Sequence, residues 1–478
     1  MAAGGVILLA VLAILVLVIV TSGGAEPEAT PTPSPTATPS PTPTPEDETP
    51  SPTPAPPETA YQIVYREFGQ TEDVIWRAAP ADPAQRAEIA RIPHREGFGI
   101  KPSLSPDGKM LAYLSLPEYA LSAQSSQAEA FILDLKTQDT VKVAEGIDLT
   151  FAPLWSPDGK QLYLRRLAGP EFLAANVIIV RVTVPPLGEN TPTPTPTPPP
   201  SVTPVPTRPA EQDAFRDSIA HVLNFIPLGF SEDGESMFFV QIQGGTQTGS
   251  LLGAYRPATT ESLAEAWTEY LMALAASQPD PNATPTPAPQ GTPNPTPTPF
   301  WETKLIVAMS DQTSFDYDLS ANRQKVLYLV QEFDESGGIA NKAYWASIIE
   351  AATYPVSDEG LPVGHHLRPL WHPDSARLTV GVLPLDGSAG GVWLMHPDGA
   401  EAVNMTAGSR GFDEPRSWAP DGSWLAVTHS DGTLINRTNI TLDLITEGGN
   451  RTTVISGADN ATEDSVLGWI DPSAIFTE

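Results

Sequence analysis

Short apolar runs, separated by a recurrent polar turn, form the main pattern along most of the chain. Residues 153–166 read PLWSPDGKQLYLRR, so that an apolar run ends at Trp155, Ser-Pro-Asp-Gly follows, and apolar residues resume at Leu162. Pro presets φ for the first corner of a turn, Asp bonds its own backbone, and Gly tolerates a positive φ. The pattern therefore predicts two short strands joined as a β-hairpin.

The same turn recurs along the chain at nearly constant spacing. Aligned on its third position, it places Asp107, Asp158, Asp233, Asn322, Asp374, Asp421 and, in a degenerate last copy, Pro472. Successive spacings are 51, 75, 89, 52, 47 and 51 residues. Without residues 187–209 and 259–299, the two long spacings become 52 and 48. A period of about 50 residues that is rich in short strands predicts four-stranded β-propeller blades, with these aspartates as structural turn residues.

The two ends of the repeat region predict how the ring closes. Residues 61–92 have the pattern of the second, third and fourth strands of a blade, whereas residues 464–470 (DSVLGWI) have that of a first strand. Together they would complete one blade and leave no sheet edge open. Six internal blades and this composite blade predict an all-β, seven-bladed propeller over residues 60–478. Propellers of six or eight blades stay as alternatives.

Three insertions interrupt the regular period. Residues 187–209 and 279–299 are rich in Thr and Pro and are predicted to be low-complexity surface loops. Residues 259–278 predict a helix on the outside of the domain, because Thr259 or Thr260 can cap it and apolar residues recur on one face. These apolar residues are Leu263, Trp267, Leu271 and Leu274.

The N-terminal segment predicts export. Residues 1–20 carry no charge and suffice to cross a hydrocarbon core of about 30 Å, so we predict a transmembrane anchor over 1–24, with a cleaved signal peptide as the alternative. Glu26 and Glu28 follow, and the first basic residue after the span is Arg66. Residues 25–59 predict a disordered, extended Thr/Pro stalk. The propeller is then expected outside the cytoplasm on a single-pass membrane protein, or secreted after cleavage.

Charge and cysteine content exclude several classes of function. The formal net charge is -31, which argues against a nucleic-acid partner, because phosphates need basic surfaces. The chain contains no Cys. Disulfides, thiolate metal sites, cysteine nucleophiles and a lipidated cysteine are therefore excluded.

The repeat resembles a known family. The unit WSPDGKQLYL, together with the later LMHPDGAEAVNMT, looks like the PD40 or TolB-like variety of WD40-like propeller repeat, over roughly residues 60–478. The copy LSANR departs from the motif by lacking Pro and Gly, and SEDG lacks Pro. TolB itself carries a separate α/β domain before its propeller, whereas a stalk stands in that place here. The resemblance implies a β-propeller fold.

Candidate binding residues come from the loops that join each fourth strand to the next first strand. Such loops gather at one face of the ring, where a rigid scaffold presents binding residues. The candidates are His94, Arg95, Asp358, Glu359, His365, His366, Arg410, Asp413 and Glu414. His366 and His372 would lie about 20 Å apart along one strand, too far to share a metal. We predict no catalytic residues, metal or cofactor.

Two hypotheses of function follow from these observations. The favoured one is a membrane-tethered, non-catalytic scaffold that binds a protein, peptide or glycan of the cell envelope. The alternative is an extracytoplasmic hydrolase or lyase that uses His and carboxylates at the ring mouth. Fold does not decide between them.

Overall fold

A computed structural model describes residues 59–118, 120, 127–168, 176–187, 212–215, 224–243, 249–257, 301–312, 314–333, 338–388, 390–409, 411–433, 436–456 and 465–476. The predicted anchor, the stalk up to residue 58, the insertions at 188–209 and 279–299, the helix at 259–278 and Arg410 lie outside these ranges. Within them, no helix has the length and apolar character that a membrane span requires.

The described residues form short strands almost throughout. Between residues 62 and 257 these are β1 (Gln62–Glu67), β2 (Glu72–Ala79), β3 (Asp82–Pro93), β4 (Lys101–Leu104), β5 (Met110–Ser115), β6 (Ala128–Asp134), β7 (Thr140–Ile147), β8 (Leu154–Trp155), β9 (Gln161–Ala168), β10 (Asn176–Thr183), β11 (Gln212–Phe215), β12 (Asn224–Phe230), β13 (Met237–Gln243) and β14 (Gly249–Pro257).

The strands after residue 300 continue the pattern and end in one helical turn. They are β15 (Trp301–Ser310), β16 (Ser314–Leu319), β17 (Lys325–Phe333), β18 (Ile339–Ser347), β19 (Ala352–Pro355), β20 (Gly364–Trp371), β21 (Leu378–Pro384), β22 (Gly391–Met395), β23 (Val403–Asn404), β24 (Phe412–Trp418), β25 (Leu425–Gly432), β26 (Arg437–Ile445), β27 (Arg451–Ile455), β28 (Val466–Ile470) and α1 (Pro472–Ile475).

These strands form seven four-stranded antiparallel sheets, which confirms the predicted all-β, seven-bladed propeller. Blades 1 to 6 are β4–β7, β8–β11, β12–β15, β16–β19, β20–β23 and β24–β27. Blade 7 is composite, because β28 pairs antiparallel with β1 and is followed by β2 and β3. The first strands β4, β8, β12, β16, β20, β24 and β28 contact one another in a closed ring around the centre. The ring of blades therefore closes through the pairing of β28 with β1, and the outer strand of each blade remains as a short edge.

The predicted hairpin turns join the first and second strands of the blades. In blade 2, Ser156 Oγ donates to Asp158 Oδ1 at 2.7 Å, and the same carboxylate oxygen accepts the backbone N–H of Lys160 at 3.0 Å. Gly159 has φ 67°, a conformation that favours glycine. Ser105 with Asp107 and Ser320 with Asn322 repeat the hydroxyl contact at 2.7 Å. The side chains of these turn residues thus bond within their own hairpins.

The copies of the turn that lack the serine, in blades 5, 6 and 7, differ from the pattern. In blade 5, His372 replaces the serine and its Nδ1 lies 2.8 Å from Asp374 Oδ2. In blade 7 the sequence alignment on Pro472 is one residue late, because Asp471 makes the turn contacts. Its Oδ1 accepts the backbone N–H of Ser473 at 2.9 Å and caps α1. The proline instead begins this helical turn, where its missing N–H costs no hydrogen bond.

Packing between blades explains why alternation along the second strands is only partial. Five consecutive residues of β17, Val326 to Val330, are buried, because neighbouring blades cover both faces of the sheet. The tryptophans that precede the turns also bridge blades. Trp155 Nε1 donates to the carbonyl oxygen of Ser103 at 3.0 Å, and Trp418 Nε1 donates to Thr379 Oγ1 at 3.3 Å. The motif thus stabilises its own hairpin and also holds it against the neighbouring blade.

Candidate functional site

His94 serves the structure of blade 7. Its side chain is fully buried, and its Nε2 lies 3.3 Å from Asp73 Oδ1. The other oxygen of Asp73 accepts the backbone N–H of Ile100 at 2.9 Å and pairs with Arg66 at 3.3 Å. These contacts fasten the loop that precedes β4. The neighbouring Arg95 places its guanidinium 5.1 Å from the ring centre of Phe98 in the same loop.

Asp358 and His366 are brought together by the structure. Their Oδ1 and Nε2 atoms are 3.1 Å apart, while Asp358 Oδ2 lies 2.6 Å from Lys342 Nζ. His366 Nδ1 accepts the backbone N–H of Ala343 at 3.0 Å, which directs the proton on Nε2 toward the carboxylate. Pairing with His366 and Lys342 lowers the pKa of Asp358 to about 2. The side chain of His366 is 1% exposed and that of Asp358 is 52% exposed, so a buried imidazole pairs with a carboxylate that reaches solvent.

His365 and Glu359 flank this pair but differ in exposure. His365 Nδ1 accepts the backbone N–H of Asn341 at 3.3 Å, and burial, with the nearby Lys342 charge, lowers the pKa of His365. Glu359 is exposed, and its backbone N–H donates to Ser357 Oγ at 3.1 Å. Of the described candidates from this loop, Asp358 and Glu359 are thus exposed to an external partner.

Asp413 belongs to a buried charge network within blade 6. Its Oδ1 lies 2.9 Å from His429 Nδ1 and 3.0 Å from Arg451 Nη2. Arg451 in turn pairs with Asp443 at 2.5 Å. Although burial opposes ionisation, His429 and Arg451 hold the pKa of Asp413 below its ordinary value, and the same hydrogen bond raises the pKa of His429. The network joins the first strand of the blade to the other three.

Glu414 lies next to Asp413 on β24 but has different partners. Its Oε2 accepts Arg416 Nη2 at 2.5 Å and Arg437 Nη1 at 2.7 Å, and its Oε1 accepts Arg437 Nη2 at 2.9 Å. Arg416 also donates from Nε to Thr428 Oγ1 at 2.7 Å. One carboxylate therefore serves two guanidinium groups.

Most of the predicted ring-mouth candidates thus make internal contacts in separate clusters of blades 4 to 7, whereas Asp358 and Glu359 are exposed. Arg410 lies outside the described residues. In the portion of the chain described here, no three His, Asp or Glu side chains form a group that could hold a metal ion. The arrangement gives stable loops and does not assemble a nucleophile with a base and an acid.

A cavity in the central channel is the feature that sequence reasoning missed. Its volume is about 140 Å³, and it lies among the first strands of blades 5, 6, 7 and 1 and the segment before β8. It is lined by Lys101, Pro102, Ala152, Arg368, Arg416, Val466 and Leu467. In the sequence, most of these residues lie three or four positions before the first residue of a turn motif. The position of each turn therefore indicates which residues of the first strand line the channel.

Bulges in the first strands turn side chains toward this channel. The pairing of β20 with β21 shifts register between Leu367 and Leu370, and that of β24 with β25 between Pro415 and Ser417. Arg368 and Arg416 are the residues displaced there. Arg368 has φ 31°, a strained backbone for a residue with a side chain. Such bulges and strained positions are frequent at functional sites.

Asp318 gives the channel wall an unusual titrating group. It lies on β16, and its Oδ2 accepts the backbone N–H of Trp371 at 2.6 Å. Burial raises the pKa of Asp318 to about 7, against the opposing effects of this hydrogen bond and the charges of Arg368 and Arg323. Near neutral pH this carboxyl is therefore only partly ionised.

Comparison with known proteins identifies a fold. No protein-family model and no curated protein matches the chain. Similar solved structures include a putative TolB from Agrobacterium tumefaciens (12% identity, TM-score 0.39, 85% of this chain and 93% of that one) and TolB from Acinetobacter baumannii (13%, 0.39, 85% and 66%). Prolyl oligopeptidase B from Galerina marginata is 11% identical, with a TM-score of 0.50.

The prolyl oligopeptidase match covers 85% of this chain but only half of that protein, and at such low identity it shows a shared fold alone. The seven four-stranded sheets and the closure of the ring by β28 and β1 agree with the propeller that the sequence resemblance implied. In fold, the chain is therefore a seven-bladed β-propeller.

Proposed function

We propose that this chain is a membrane-tethered, extracytoplasmic binding scaffold that recognises a protein, peptide or glycan of the cell envelope and does no chemistry itself. The observation that carries the proposal is the use of the polar loop residues. His94, His366, Asp413 and Glu414 all bond within the propeller. Such residues hold a rigid platform whose exposed loops and central channel remain for a ligand.

The topology gives the platform two distinct faces. The loops that enter the first strands lie at one end of the channel, and the hairpin turns that leave those strands lie at the other. Glu96 and Glu359 are exposed on the loop face, whereas Lys160 and Glu235 are exposed on the turn face. We expect binding at the loop face.

Site-specific photo-crosslinking on the full-length protein in its native membranes tests this expectation. A photoreactive residue at position 96 or 359 should yield one discrete adduct, and the matched positions 160 and 235 should yield none. Equal adducts from both faces, or adducts from the turn face alone, would contradict a partner on the loop face.

The placement outside the cytoplasm is tested through the absence of cysteine. Because the chain has no Cys, a single Glu235→Cys substitution gives the only thiol. A membrane-impermeant maleimide should label this thiol in intact cells to the same extent as after lysis. Labelling only after lysis would place the propeller on the cytoplasmic side. Assays of hydrolase and lyase activity on the purified protein, with and without EDTA, distinguish a scaffold from an enzyme.

A further inference from the structure

We propose that the channel cavity between Lys101, Arg368 and Arg416 binds the C-terminal carboxylate of a peptide whose last residue is small and apolar. This inference rests on the proposed binding function, since it names the ligand chemistry of the same scaffold. It rests on four features of the cavity, which are its charge, its apolar wall, its size and its strained arginine.

The charge lining the cavity is opposite to that of the whole chain. Lys101, Arg368 and Arg416 line it, and no carboxylate does so among the described residues. Glu414 pairs with both Arg416 and Arg437. These two guanidinium groups and their one carboxylate together carry a net positive charge. The chain as a whole has a net charge of -31. A positive cavity inside an acidic protein concentrates anions at that point.

Two carboxyls elsewhere in the channel moderate this charge but do not cancel it. Asp318 is close enough to Arg368 to interact with its charge, and burial keeps the carboxyl partly protonated near pH 7. Asp316 belongs to the same strand and is exposed. Both belong to blade 4, whereas the cations come from blades 1, 5 and 6.

The other lining residues favour a carboxylate with a short apolar group attached. Val466, Leu467, Ala152 and Pro102 form the apolar part of the wall. The volume of about 140 Å³ is that of about four or five water molecules, since each occupies about 30 Å³ in the liquid. A carboxylate and a few carbon atoms fill this space. Planar guanidinium groups match a carboxylate through two parallel hydrogen bonds.

The conformation of Arg368 is consistent with a binding role. The bulge in β20 displaces this residue, and its φ of 31° is unfavourable for a side-chain-bearing residue. A turn-like bulge with glycine would build the same backbone without strain. An arginine at this strained position is explained if its side chain contacts a ligand.

Isothermal titration of the full-length protein tests the inference with two probes that differ in one group. The probes are N-acetyl-Ala-Ala-Val with a free carboxylate and the same peptide as its C-terminal amide. We expect the free carboxylate to bind about tenfold more tightly than the amide, with an affinity that falls as salt is added. Arg368→Gln should weaken carboxylate binding by about tenfold, and Arg368→Lys by less.

The matched control is Arg91→Gln, which removes an arginine whose side chain is 50% exposed on the outer strand β3. It should bind the peptide as the unchanged protein does. Should Arg368→Gln melt at a lower temperature than the unchanged protein, Lys101→Met provides a second variant with the same expected loss. No binding by the carboxylate probe, equal binding of the amide, or undiminished binding by both channel variants would overturn the inference.

Inorganic phosphate is a third probe. Tighter binding of phosphate than of the peptide carboxylate would overturn the assignment to a peptide terminus. A partner that is still captured at position 96 or 359 while both peptides fail to bind would refute this inference and leave the proposed scaffold function standing. Failure of both experiments would refute both.

Discussion

The hairpin turns and the channel bulges lie only a few residues apart on the same first strands, yet they differ in how far their residues repeat. At the turns, a carboxylate or amide oxygen makes nearly the same contacts in blade after blade, as with Asp107, Asp158 and Asn322. At the channel, blades 1, 4, 5 and 6 present Lys101, Asp316, Arg368 and Arg416, respectively. Residues repeat where the backbone needs them, and they vary where the backbone leaves the side chain free.

The largest expected change in the free energy of unfolding concerns Asp413, which lies on β24 just before the bulge. Asp413→Ala should lower the free energy of unfolding by about 3 kcal/mol, because it leaves Arg451 and His429 without their shared buried carboxylate. Chemical denaturation at pH 7 measures this. Asp431→Ala is the control, since its carboxylate is 43% exposed and 3.8 Å from His429. Equal losses in both variants would show that this segment is not a structural network.

The next effect tests whether the channel wall is optimised for stability. Asp318→Asn should raise the free energy of unfolding at pH 8 by an amount on the order of 3 kcal/mol, because the buried carboxylate is then replaced by a neutral acceptor. Unfolded Asp ionises near 3.8 and native Asp318 near 7. Between these values the native state holds a proton that the unfolded state lacks, so stability falls as the pH rises.

Denaturation curves at several pH values check this sign. The advantage of Asp318→Asn should be absent below pH 3.8, grow up to about pH 7 and then stay constant. Asp386→Asn, at an exposed position, should show no gain of this kind. A gain that is independent of pH would contradict the role given to Asp318.

A smaller loss of unfolding free energy, similar from one turn to the next, is expected at the hairpin turns. Asp158→Ala and Asp107→Ala should each cost about 1 kcal/mol, because each removes one acceptor for a serine hydroxyl and a backbone N–H at an exposed turn. The double variant should be additive, since the two turns share no partner. Thermal unfolding of the three variants measures the losses. Strongly unequal losses would break the equivalence of the turns.

The smallest expected effects compare backbone strain at a hairpin turn with backbone strain at a channel bulge. Arg323 has φ 58° where four other copies of the turn have glycine, and Arg368 has φ 31° in its bulge. Arg323→Gly and Arg368→Gly should each stabilise the protein by about 0.5–1 kcal/mol. Only Arg368→Gly should abolish peptide binding in the titration. Loss of stability in Arg368→Gly would show that its conformation is not strained.

Much of the architecture could be predicted because it is local and repeated. The turn fixes the hairpin, the period of about 50 residues fixes the blade, and the unmatched strand patterns at residues 61–92 and 464–470 fix the composite blade. The degenerate last copy misled by one residue, because Pro472 resembles the motif's third position whereas Asp471 makes its hydrogen bonds. The hydrogen bonds, rather than the sequence alignment, show that Asp471 and not Pro472 takes this position.

The candidate site could be predicted only in part. The sequence placed polar residues in the loops that enter the first strands, but it does not contain the information that Asp413 faces Arg451 or that His366 faces Asp358. These partners are 38 and 8 residues apart and meet only through sheet pairing and blade packing. The sequence placed the channel residues three or four positions before each turn but gave no reason to group them.

The sequence by itself determined the strand order and the turns and favoured seven blades closed by the two ends, because each depends on patterns within one repeat or on the two unmatched ends. Only the sheet pairing of the structure removed six and eight blades as alternatives. Only the tertiary structure decided which charges are neutralised internally and which converge. The physical reason is that ring closure brings Lys101, Arg368 and Arg416, which are far apart in sequence, around one cavity. Their effect depends on distance and burial, which no single repeat specifies.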